Sequence, residues 1–198
     1  MTARPLIALL AAGRASRFGA DKLAAPCAGA PLGTHAVCAV LATGLQAVCI
    51  TAPGPRPGWL PDTVTALPNP LAAQGLGTSV ALAAQEAAAR GAPALLIHLA
   101  DMPCVTPELL LAVAAAGPLA ACRHPDGRPG VPALFPAARF AELAALNGDR
   151  GAGGLLAGGP DVALIDCHAD DLLDVDTPEA LARAEKVLNL RQRKAGQG

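Results

Sequence analysis

Short apolar runs alternate with alanine- and leucine-rich stretches along this chain, and that alternation constrains the fold more than any other feature. Runs of strand length lie at Pro5–Leu10, Ala47–Thr51, Val64–Ala66, Ala94–Leu99, Leu119–Ala121 and Asp161–Asp166. Stretches of helix length lie at Pro31–Ala42, Gly77–Ala89, Pro107–Ala116, Ala137–Ala145, Gly151–Ala157 and Pro178–Leu190. Strands that alternate with helices build βαβ units around a mostly parallel sheet, so the expected class is α/β. At 198 residues the chain suits one domain. We assign residues 1–190 to it and read 191–198, with three basic residues and two glycines, as a flexible basic tail.

Composition removes several functions. Apolar residues make up 53% and charged residues 16%, ample for a packed core. Aromatic residues are 2%, with no Tyr and one Trp, which argues against a protein that stacks single-stranded nucleic acid on aromatic platforms. A net charge of −1 gives no general attraction to nucleic acid or to an anionic membrane. No uncharged apolar run approaches the ~18 residues of a membrane span. The N-terminal Leu6–Ala12 run carries one basic residue before it and a polar glycine loop after it, so it reads as a buried strand and not as a signal peptide. None of the six cysteines forms a C-x-x-C pair, so reduced thiols in the cytoplasm are expected, with no zinc ribbon. His98, in an apolar strand, is expected as a hydrogen-bonded core histidine, and Trp59, in a proline-rich loop, receives no role.

Two helix starts are well marked. Thr106-Pro107-Glu108 and Thr177-Pro178-Glu179 each offer Thr as N-cap, Pro as first helical residue and an acid in the first turn. Each follows an aspartate near a strand end, Asp101 and Asp176. Ligands of open α/β sheets gather beyond the carboxyl ends of the strands. The loop from Leu10 to Lys22 belongs to the same rim. Ala11, Ala12 and Gly13 let a ligand approach the backbone, and Arg14, Arg17 and Lys22 surround two glycines. Backbone N–H groups with cations make a polyphosphate site. It is not a Walker A loop, because five residues separate Gly13 from Gly19 and Leu23 follows Lys22. It is not a dinucleotide fingerprint either, because G-x-G-x-x-G is missing.

The segment Leu10-Ala11-Ala12-Gly13, then Ser16-Arg17-Phe18-Gly19 and Lys22, resembles the signature loop of the MobA-like nucleotidyltransferases. Further segments resemble that family in order. They are Asn69-Pro70 with Gly75-Leu76-Gly77-Thr78-Ser79, Leu99-Ala100-Asp101-Met102-Pro103, Gly130 to Phe135, Gly148-Asp149-Arg150-Gly151-Ala152, and Asp174-Val175-Asp176-Thr177-Pro178-Glu179. The resemblance covers about residues 5–188 and implies a three-layer Rossmann-like fold with a mostly parallel, mixed central sheet.

The resemblance also implies a Mg²⁺-dependent enzyme that transfers a nucleoside monophosphate to a phosphorylated acceptor and releases pyrophosphate. Arg17, Lys22 and Asp101 become the catalytic residues, and Asp101 with Asp176 the metal ligands, Asp174 being the competing choice for the second. Leu10, Ala11, Ala12, Gly13, Arg17, Lys22, Asn69, Gly77 and Ser79 become the nucleotide contacts. Asp149 and Arg150 fall on the acceptor side, where the alternative is a local ion pair. Within the family the pattern is similar to the molybdenum cofactor cytidylyltransferases, which implies CTP, a molybdopterin acceptor, and a molybdoenzyme or its chaperone as recipient. Guanylyltransferase relatives read Leu-Ala-Gly-Gly where this chain has Ala12; the added methyl favours a pyrimidine by about 1–3 kcal/mol. Two positions depart from the family on the acceptor side: Val131 in place of His and Gly153 in place of Arg.

The alternatives are a GTP-using molybdopterin guanylyltransferase, a transferase acting on a sugar or polyol phosphate, and a non-enzymatic nucleotide-binding chaperone. A GT-A glycosyltransferase is disfavoured, because Asp101-Met102-Pro103 breaks the D-x-D motif after the central strand.

Overall fold

The computed structural model describes residues 4–13, 21–156 and 161–196. Strand β1 (Leu6–Ala11) is followed by a small hairpin of β2 (Pro26–Cys27) and β3 (Ala30–Pro31), helix α1 (Leu32–Ala42), and strands β4 (Gln46–Thr51) and β5 (Thr65–Pro68). Then come α2 (Leu76–Ala89), β6 (Ala94–Leu99), α3 (Pro107–Ala115), β7 (Ala120–Arg123) and β8 (Pro129–Pro136). Helices α4 (Phe140–Ala144) and α5 (Gly153–Leu156), strand β9 (Ala163–Ile165) and helix α6 (Pro178–Ala195) complete the chain.

The sheet has seven strands in the order β5-β4-β1-β6-β8-β7-β9. Strands β5, β4, β1 and β6 are mutually parallel, β8 runs against both β6 and β7, and β9 is parallel to β7. Strand β1 sits in the middle of the parallel half and is buried at five of its six positions. A strand covered on both faces must read as a continuous apolar run, as Leu6-Ile7-Ala8-Leu9-Leu10 does. Each fully buried Leu or Ile contributes about 1.5–3 kcal/mol. Alternate residues feed two cores. Ile7 and Leu9 pack with α1, α3 and α6, while Leu6, Ala8 and Leu10 pack with α2, α4 and α5, which makes three layers. On α2 the inward residues Ala83, Ala84 and Ala87 have no exposed surface, so that helix lies close to the sheet.

The parallel register sets the rim. Leu10 pairs with Ile50 of β4 on one side and Leu99 of β6 on the other, so three strands end level. The chain leaves β1 toward β4 and later returns to β6 on the other flank, which makes a topological switch point beyond their carboxyl ends. Ala100 N–H donates to Leu10 O at 3.0 Å and joins the two ends.

The structure corrects the expected elements in three places. Strand β8 was not expected, because Pro129, Pro132 and Pro136 read against a strand. Two of these prolines stand at its ends. Pro132 lies within a bulge of β8, where the pairing jumps from Ala121–Ala133 to Cys122–Gly130. The chain also continues as helix past residue 190, where a tail was expected. Arg191 donates to Cys104 O at 2.5 Å and pairs with Asp171, and Arg193 and Lys194 in the last turn suit the negative end of the helix dipole. His98 is fully buried, but neither ring nitrogen has a partner among the described residues. No helix among the described residues is long and apolar enough to cross a membrane.

Burial lowers the His98 pKa to about 3. The unfolded chain therefore binds a proton below about pH 6.5 that the folded chain refuses. That contribution to stability is full above pH 6.5 and is lost as the pH falls toward 3. Relative to His98→Met, unsubstituted protein is expected to lose about 2 kcal/mol of unfolding free energy between pH 7 and pH 5. Urea unfolding at the two pH values measures the difference, and parallel losses in both proteins would refute it.

Candidate functional site

Lys22 sits on a 3₁₀ turn, Lys22–Ala24, that Asp21 caps by accepting from Leu23 N–H at 3.1 Å. Buried Leu23 anchors the turn to the core, so the Lys22 side chain is aimed by its neighbours on both sides. Its ammonium lies 2.9 Å from Asp101 Oδ2 and 2.7 Å from Asp176 Oδ1. Asp101 follows β6. Val175 N–H donates to Asp101 O at 3.0 Å, which brings the 174–176 segment to the same strand end.

Both helix caps leave these carboxylates unused. Thr106 accepts from Leu109 N–H at 3.2 Å to cap α3, and Thr177 accepts from Ala180 N–H at 3.2 Å to cap α6. Asp101 and Asp176 are therefore not spent on helix termini. Each of Asp101, Asp174 and Asp176 offers an oxygen within 4.8 Å of the others. Asp101 Oδ1 is buried and has no partner among the described residues. Several hard oxygen donors, one of them orphaned, suit Mg²⁺, which takes carboxylates together with phosphate and water.

The charges are tuned by this crowding. Loss of water works against the Lys22 ammonium, but Asp101 and Asp176 outweigh it and hold the pKa above its ordinary value. Asp174 goes the other way. Loss of water first, and then the charges of Asp101 and Asp176, raise it to about 7 against the pull of Lys22.

A cleft of about 790 Å³ opens over this group, with Leu10, Lys22, Trp59, Leu76, Asp101 and Asp176 on its wall. Beside it lies a smaller pocket of about 220 Å³, walled by Ala12, Gly13, Ala73, Gly75, Ser79 and Asp149 among others. The two meet at Gly13 and Leu76. Beyond β4, Arg56 closes the proline-rich loop by donating to Leu60 O at 3.3 Å and Val64 O at 2.7 Å. That places Trp59 over α1, where a methyl group on Gly33 would come within 2.8 Å of the indole.

Residues 7–164 match the family described as the MobA-like NTP transferase domain. The chain belongs to that family. It is a nucleotidyltransferase of the MobA-like type. A relative named molybdenum cofactor guanylyltransferase, from Rhodobacter capsulatus, is 33% identical over 181 residues, covering 89% of this chain and 93% of that protein. The crystal structure of Rv0371c from Mycobacterium tuberculosis H37Rv superposes with a TM-score of 0.76 at 27% identity, over 94% of this chain and all of that one. A nucleotidyl transferase from Methanothermobacter thermautotroptrophicus shares the fold, with a TM-score of 0.77 at 21% identity over 97% of this chain and 100% of that one.

The structure gathers most of the expected MobA-like residues. Leu10, Ala11, Gly13, Lys22, Asp101 and Asp176 line the cleft, with Asp174 beside them. Ala12 and Ser79 line the small pocket. Arg17 lies outside the described residues. Asn69 is 2% exposed and spends its side chain inside the fold. It donates to the Thr78 hydroxyl at 2.9 Å and the Ser79 hydroxyl at 3.0 Å and accepts from Leu71 N–H, so it holds Ser79 from behind. Gly77 is likewise turned to the protein, its N–H donating to Gly148 O at 2.8 Å. Asp149 shares the small pocket with Ala12 and Ser79 and makes no ion pair with Arg150 among the described residues. Gly75, quoted only as part of the 75–79 segment, and Trp59, given no role, also line these pockets. A glycine ahead of a helix start was a readable signal for Gly75, whereas a lone Trp in a proline loop carried none.

Gly75 has φ +118°, and a methyl group there would meet the Gly148 backbone at 2.3 Å. Gly75→Ala is expected to lower the unfolding free energy by about 1–3 kcal/mol. Gly154→Ala, which opens on free space, should leave it within about 0.5 kcal/mol. Urea unfolding of both variants followed by circular dichroism is the check, and equal stability of the two would contradict it.

Proposed function

We propose that this protein transfers CMP from CTP to the terminal phosphate of a molybdopterin acceptor and releases pyrophosphate. The observation that carries the reading is the Lys22 ammonium held between Asp101 and Asp176 where β1 and β6 end together. In-line attack on an α-phosphorus asks the protein for positioning and charge neutralisation more than for covalent chemistry.

Lys22, together with Arg17, neutralises the triphosphate and the departing pyrophosphate. Asp101 and Asp176, with Asp174 as third neighbour, are the residues that would hold Mg²⁺. When bound, that ion supplies positive charge to phosphate oxygens. The backbone from Leu10 to Gly13 allows the nucleotide to lie against the rim. The Ala12 methyl on the wall of the small pocket supports a pyrimidine. Arg150 is assigned to the acceptor, which a molybdoenzyme or its chaperone then receives. The six cysteines are free thiols, in keeping with work in the cytoplasm.

A second reading has its own support. The Rhodobacter capsulatus relative is named for guanylyl transfer, and the same site would then take GTP. Thermal-shift titration with CTP, GTP, ATP and UTP in Mg²⁺ ranks the nucleotides, because a bound ligand raises stability with its occupancy. CTP is expected to lead; a GTP lead replaces the cytidylyl reading with the guanylyl one. Pyrophosphate release with molybdopterin against sugar phosphates then tests the acceptor.

Lys22→Ala and Asp101→Ala are each expected to lower turnover by about 100-fold or more, the scale of a lost charge-stabilising group. Unaltered turnover of either variant would refute its role. The ion pairs add a binding prediction. Without nucleotide, Lys22→Met should take up Mn²⁺ about 10-fold more tightly than unsubstituted protein, because no ammonium competes for the carboxylates. Paramagnetic resonance titration measures free Mn²⁺ directly, and equal affinity would separate Lys22 from the metal carboxylates.

A further inference from the structure

The small pocket beside the cleft has a built polar lining. Ser79 is 3% exposed, and its hydroxyl oxygen already accepts from Asn69. No acceptor for its own proton is recorded among the described residues, so the hydroxyl is left to donate to whatever enters. Ala72, Ala73 and Leu76 give apolar walls suited to a flat ring. On the described wall the one ionisable side chain is Asp149, a carboxylate that only accepts hydrogen bonds when ionised.

The backbone that carries Asp149 is fixed by its neighbours. Gly148, at φ +57°, turns the chain there, and its carbonyl accepts from Gly77 N–H at 2.8 Å. Asp149 Oδ1 lies 2.7 Å from where a methyl group of Gly75 would stand, so only a glycine at 75 admits it. The pocket thus offers a buried donor at Ser79 and, at its exposed rim, an acceptor at Asp149.

We propose that Asp149 is a specificity-determining residue of this pocket, selecting a nucleobase that presents an exocyclic amino group over one that presents a carbonyl there. The inference rests on the nucleotidyltransferase reading above and gives it a discriminating contact. A carboxylate accepts from cytosine N4 but faces the O4 of uracil lone pair to lone pair. Exclusion of the wrong base then comes from repulsion as much as from attraction to the right one. The residue that sequence resemblance set on the acceptor side acts here on the base.

CTP and UTP differ in this ring position and serve as the probes. Calorimetric titration with Mg²⁺ compares unsubstituted protein, Asp149→Asn and Asp149→Ala, each first shown to unfold at the unsubstituted temperature. Asp149→Asn keeps the size and adds a donor that uracil can use. The expected result is a preference for CTP over UTP that falls about 10-fold or more in both variants, with UTP binding unchanged or tighter. Where GTP is the better ligand, GTP against XTP, which carries a carbonyl in place of the 2-amino group, replaces the pair, and the same fall is expected. An unchanged preference, or an equal loss for both nucleotides, overturns the assignment while leaving the transferase reading intact. Failure of unsubstituted protein to bind any nucleotide overturns both.

Discussion

One ammonium between two carboxylates organises the functional end of this molecule. Lys22, Asp101 and Asp176 come from chain segments 79 and 154 residues apart. They meet because β1 and β6 are parallel neighbours that end in register. With Asp174 alongside, three carboxylates face one ammonium among the described residues of this group, an arrangement a divalent cation can relieve. The Lys22 and Asp101 side chains are 11% and 23% exposed, so that pair is weakly screened, whereas Asp176 meets the solvent. A lone charge left behind by substitution there would be costly. The interaction therefore does two things. It ties the Lys22–Ala24 turn to the end of β6, and it keeps the acidic group compact.

The parallel half of the sheet was legible in the sequence because its signals are local. Continuous apolar runs mark strands buried on both faces, and the Thr-Pro-Glu triplets at 106–108 and 177–179 mark helix starts that the structure reproduces. These signals also located Asp101 at the end of β6, whereas Asp176 follows no strand directly and reaches the same rim through the Val175 N–H bond to Asp101 O. The antiparallel strand was not legible, because its prolines are excused by a bulge and by strand ends, and only pairing partners far along the chain show that. The same applies to the last helix. Its basic end resembles a loose tail until Asp171 and Cys104 are seen to receive Arg191.

Within the site, resemblance found the neighbourhood better than the individual contacts. Asn69 and Gly77 were expected as nucleotide contacts, yet both face inward. One braces Ser79, and the other receives the 147–150 segment. Asp149 is the converse case. Its carboxylate reaches the small pocket only because glycines at 75 and 77 let a distant loop lie against the start of α2. No local pattern reports such a contact, since it depends on atoms that are missing at one place and present seventy residues later.

The single indole has a practical consequence. The chain has one Trp and no Tyr, and that Trp forms part of the cleft wall while its ring rests on Gly33. Ultraviolet-excited emission from the folded protein therefore originates beside the functional end alone. Whatever enters the cleft or shifts α1 changes the surroundings of that fluorophore, so the protein carries its own optical reporter without any attached label.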